Sequence, residues 1–88
     1  MGEENNGLTM YDLANKYIDL ANELSKVDQS GNVGVALRYS AARYSAFEAS
    51  IRTESLADDK EQILDKYMED YRKMLSDNID EYIKQSAN

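Results

Sequence analysis

Apolar residues return every three or four positions along most of this chain. Met10, Leu13, Tyr17, Leu20, Leu24 and Val27 form the first such series, a spacing that lines them up on one stripe of a helix. Thr9 stands where it can cap that helix, and Asp12 three residues on completes a capping box. The stripe is expected to be a core face. Residues 1–8 hold Gly2, Gly7, two acids and two Asn with almost nothing apolar, and are expected to form a frayed tail.

The segment Asp28-Gln29-Ser30-Gly31-Asn32 is the clearest turn. Gly31 can take the left-handed conformation after a helix end, and Asn32 can cap the helix that follows. A calcium loop beginning at Asp28 would need Gly sixth and Glu twelfth, where this chain has Val33 and Tyr39. The second helix is expected from about Val33 to Thr53. Val33, Leu37, Tyr44, Phe47 and Ile51 mark one side of it and Val35, Tyr39, Ala42 and Ala46 another, so it should lie between two neighbours. Ser55 with Asp58, then Asp59 and Glu61, marks the start of a third helix running to about Gln85. Its stripe is Leu56, Ile63, Leu64, Tyr67, Tyr71, Met74, Leu75 and Tyr82.

These elements predict an all-α protein, an antiparallel three-helix bundle with a long C-terminal helix, forming a single domain over residues 9–88 behind the tail of residues 1–8. Charge agrees with that arrangement. Residues 1–30 carry a net charge of -4, residues 31–53 of +2 and residues 54–88 of -5, so a basic helix would sit between two acidic ones. Pairs at i,i+4 are expected at Glu48/Arg52, Glu69/Lys73 and Asp80/Lys84, each adding a few tenths of a kcal/mol.

Composition narrows the chemistry. The 88 residues include no Pro, Cys, His or Trp. Without His or Cys there is no zinc, haem or iron–sulfur ligation of the usual kinds, no thiol nucleophile and no disulfide framework. No catalytic, cofactor or metal residue is therefore expected. A net charge of -7 repels phosphate backbones, so neither nucleic acid nor an anionic membrane is expected as a partner. No apolar run approaches the ~20 residues that span a bilayer, and the start MGEENNGLTM has neither a basic nor an apolar leader region. A cytoplasmic location is expected.

The run Tyr39 to Phe47, preceded by Ile18 to Glu23 and followed by Tyr71 to Leu75 and Asn78 to Tyr82, resembles a family of small proteobacterial proteins catalogued as a domain of unknown function. Tyr44-Ser45 stands where that family's pattern has Phe-Asn. The resemblance implies the helical fold and brings no activity, cofactor or partner with it. Asp28, Gly31, Asn32, Ala36, Leu37 and Arg38 also resemble the turn and second-helix opening of the microtubule-interacting-and-trafficking module, and tetratricopeptide hairpins share the Ala/Leu/Tyr rhythm. Those modules bind helices or peptides in inter-helix grooves.

Two places remain for function. Arg43 falls between the two apolar sectors of the second helix, where a guanidinium should be largely buried and must find acceptors; Asp19 and Glu23 are the expected partners, with Asp70 more distant. Such a group would be either a buried ion pair that fixes register or, with the neighbouring tyrosines, a site for a small ligand or anion or a minor enzyme site. Arg38 and Arg52 share one edge of the same helix, where an acidic partner could meet them. The seven tyrosines are expected to pack in the core with their hydroxyls at its rim. Aligned against helix two, the third helix should project from Asn78 to Gln85 by ~12 Å at 1.5 Å per residue. Ile79, Tyr82 and Ile83 lie in that overhang. The expected function is thus a non-enzymatic interaction or adaptor module, a homodimer joined through the end of its third helix, with a protein or peptide partner possible.

Overall fold

The computed structural model describes residues 7–87, so most of the expected frayed tail, residues 1–6, lies outside the described residues. The chain is all-α. Three helices follow one another, α1 (Met10–Val27), α2 (Asn32–Arg52) and α3 (Leu56–Ser86), with no strand among the described residues. Helix number, order and the long third helix are as the sequence predicts; at 31 residues α3 is about 46 Å long.

Local chemistry places each helix end. The Thr9 hydroxyl accepts from the Asp12 N–H at 3.1 Å while the Thr9 N–H donates to the Asp12 carboxylate at 2.9 Å, a complete capping box. α1 closes where the Asp28 N–H reaches the Leu24 carbonyl at 3.0 Å. In the turn beyond, the Ser30 N–H donates to Asp28 at 3.0 Å and the Asn32 N–H to the Ser30 hydroxyl at 3.2 Å. Gly31 takes φ +95°, a conformation that strains any residue bearing a Cβ. Asn32 is the first residue of α2 and not its cap; Ser30 serves its free N–H.

The second turn is tied twice to Thr53. Its hydroxyl accepts from the Ser55 N–H and donates to the Asp59 carboxylate. Ser55 then caps α3 by accepting from the Asp58 N–H at 3.3 Å. Asp58 and Asp59 in the first turn of α3, and Lys84 in its last, complement the helix dipole.

Two compact units divide the chain between Ser45 and Ala46, inside the unbroken helix α2. The first contains α1 and α2 as far as Ser45. Here the expected core face of α1 is not a core, because no residue of α1 is buried, and Tyr17 and Leu20 are more than half exposed. In α2, Val33 and Gly34 are half-buried while Val35, Leu37, Tyr39 and Tyr44 are exposed. The second unit contains the last seven residues of α2, the Thr53 turn and α3. It holds the one buried residue among those described, Ala49, 6% exposed. A half-buried strip of Asp59, Ile63 and Tyr67 runs along α3 at four-residue spacing. The expected burial of the stripes is thereby corrected for a physical reason. Helical periodicity states that a face needs covering, and it is silent on which chain supplies the cover.

Candidate interaction face

Arg43 requires the first correction. It is exposed, and it makes no ion pair among the described residues. Asp19 is exposed too, and Glu23 is taken by Lys26 one turn along α1, at 3.2 Å. The expected buried pair is therefore not formed. With little apolar cover around it, the guanidinium stays in contact with water, which serves in place of a protein acceptor. Arg38 and Arg52 are exposed as well; a guanidinium nitrogen of Arg38 lies 3.6 Å from where a Cβ on Gly34 would stand, so its chain lies across the gap that the glycine leaves.

The expected i,i+4 pairs are also redistributed. Lys73 reaches forward to Asp77 at 3.2 Å, Lys84 lies 3.6 Å from Glu81, and Glu48 and Arg52 form no pair among the described residues. Lys66 adds a pair with Asp70 at 3.6 Å. Exposed lysines choose among neighbouring carboxylates separated by a few tenths of a kcal/mol, which spacing alone does not resolve.

The third helix carries the most developed surface. Leu64, Met68, Tyr71, Leu75, Ile79, Tyr82 and Ile83 follow one another at spacings of three and four with one step of one, and all are exposed. Met68, Tyr82 and Ile83 are 62%, 70% and 60% open to solvent. Two shallow grooves run along this face and meet at Ile79. One is lined by Met68, Tyr71, Arg72, Leu75, Ser76 and Ile79, the other by Ile79, Tyr82, Ile83, Ser86 and Ala87. The Ser86 hydroxyl, in the second groove, donates back to the Tyr82 carbonyl at 2.9 Å, and the neighbouring Asn78 amide to the Met74 carbonyl at 2.8 Å. The three residues expected to project from the helix end, Ile79, Tyr82 and Ile83, thus share one face. Met68 was missed, although its place four residues after Leu64 and three before Tyr71 would have supplied it.

A groove this open and apolar can cover a helix or a flat side chain, and the one between Met68 and Ile79 also carries Tyr71, Arg72 and Ser76. Among the described residues no three acidic side chains come together as metal ligands, and no helix is long and apolar enough to cross a membrane. A family model described as "Protein of unknown function (DUF3144)" matches residues 10–83, from the first residue of α1 to the last apolar residue of this face. The chain belongs to that family. No curated protein and no solved structure matches it.

Proposed function

For this member of the DUF3144 family we propose a non-enzymatic interaction module that self-associates through the exposed face of its third helix, from Leu64 to Ile83. The observation that carries the reading is the unbroken exposed strip from Leu64 to Ile83. Contiguous apolar surface of this kind on a small soluble chain marks a place where another chain sits. A second copy is always available at the protein's own concentration, and a twofold pairing needs only one self-complementary face. The proposed setting is the cytoplasm. The net charge of -7 disfavours nucleic acid and anionic lipid as partners, and a further protein or peptide could use the exposed stripes of α1 and α2.

Light scattering over a range of concentrations tests this. The wild-type chain should show twice the monomer mass, and Tyr82→Asp should be monomeric with unchanged helix content by circular dichroism. A wild-type chain that stays monomeric at millimolar concentration, or a Tyr82→Asp dimer as tight as wild type, would overturn the reading.

A further inference from the structure

If α3 is where two copies meet, its charges specify how. Leu64, Met68, Tyr71, Leu75, Asn78 and Tyr82 alternate steps of four and three, the repeat that keeps one seam facing a partner helix in a coiled coil. Three of the five cations of α3 are occupied within the helix, Lys66 by Asp70, Lys73 by Asp77 and Lys84 by Glu81. Lys60 and Arg72 form no ion pair among the described residues, and both border the seam, as Asp65 and Glu81 do.

We infer that α3 pairs with α3 of a second copy in antiparallel register, with Leu64 facing the partner's Leu75 and Met68 facing the partner's Tyr71. This inference rests on the self-association proposed above. In that register Asp65 lies beside the partner's Arg72 and Lys60 beside the partner's Glu81, and twofold symmetry makes each contact twice. Both unoccupied cations thereby meet carboxylates, Arg72 that of Asp65 and Lys60 that of Glu81, which it shares with Lys84. Neighbouring registers do worse. A slide of one heptad in one direction sets Arg72 against the partner's Arg72, and in the other direction Asp65 against the partner's Asp65; like charges so placed are the usual device for excluding a register. A parallel pair would match Lys60 with the partner's Asp65 but leave Arg72 against an uncharged tyrosine, Tyr67.

The size is sufficient. Leu64, Met68, Tyr71, Leu75 and Tyr82 of the seam, with Ile79 bordering it, are between 43% and 70% exposed, which at ~200 Å² of full surface each leaves roughly 600 Å² to bury per chain. Two copies reach about 1,200 Å², the lower bound for a stable interface.

Charge exchange separates the possibilities, because residues 65 and 72 lie seven apart and have no direct contact within one helix. Asp65→Arg and Arg72→Asp should each weaken the dimer about tenfold, and the double variant should return to within about threefold of wild type. In a parallel pair the double variant would stay weak, since the arginine introduced at position 65 would face the partner's Lys60, and that result would overturn the register. The absence of cysteine adds a second measurement. Under mild oxidation, Leu64→Cys mixed with Leu75→Cys should give a disulfide-linked dimer in the antiparallel register, whereas Leu64→Cys linked to itself would overturn it. A wild-type chain that is monomeric refutes self-association; a wild-type dimer that ignores both tests refutes the register alone.

Discussion

Asp28 is the residue whose acidity the fold alters most clearly. The Ser30 hydroxyl beside it and the Ser30 backbone N–H stabilise the carboxylate and hold its pKa below the ordinary 3.8. A group depressed on folding contributes stability above its unfolded pKa, and loses it as pH falls through the folded value. The turn should therefore loosen only in strong acid, below pH 3.8. Thermal melts down to pH 2 should show Asp28→Asn with a shallower acid decline than wild type; identical declines would remove the turn from the acid response. Arg43 teaches the opposite lesson about single residues. Its place between two apolar sectors is legible in the sequence, but its burial depends on how much of both sectors is covered, and on this chain Val35, Tyr39 and Tyr44 are open. A helical wheel gives direction, and burial requires a neighbour.

The helices were legible to within a residue or two because their ends are settled locally. Thr9 with Asp12, Gly31 with its left-handed φ, and Ser55 with Asp58 each act over three residues or fewer, a distance at which residue type alone decides. Thr9→Ala should cost about 1 kcal/mol and raise amide exchange in the first turn, Met10 to Leu13, with little change in α3; protection factors from hydrogen exchange would check it. The stripes on those helices were equally legible, but their role as core was not. Leu13, Leu20 and Leu24 carry the spacing of a buried face and remain open in the single chain, while the buried position went to Ala49, whose small side chain lies flush with the helix backbone.

At the scale of the whole molecule, an 88-residue chain has little interior to offer, since small domains bury only about 60% of the surface their unfolded chains expose. In the proposed dimer, association would supply the rest. Stability should then be inseparable from concentration, with the melting midpoint rising by several degrees across a hundredfold increase in chain concentration; scanning calorimetry at two concentrations measures it, and a fixed midpoint would argue for a self-sufficient monomer. The caps, turn locks and intrahelical ion pairs described for this chain all close over six residues or fewer. Such contacts form in microseconds, with no long loop to close. Helices would thus be complete long before two chains meet, and the pace of assembly would be set by how often molecules collide, a rate the cell adjusts simply by how much of the protein it makes.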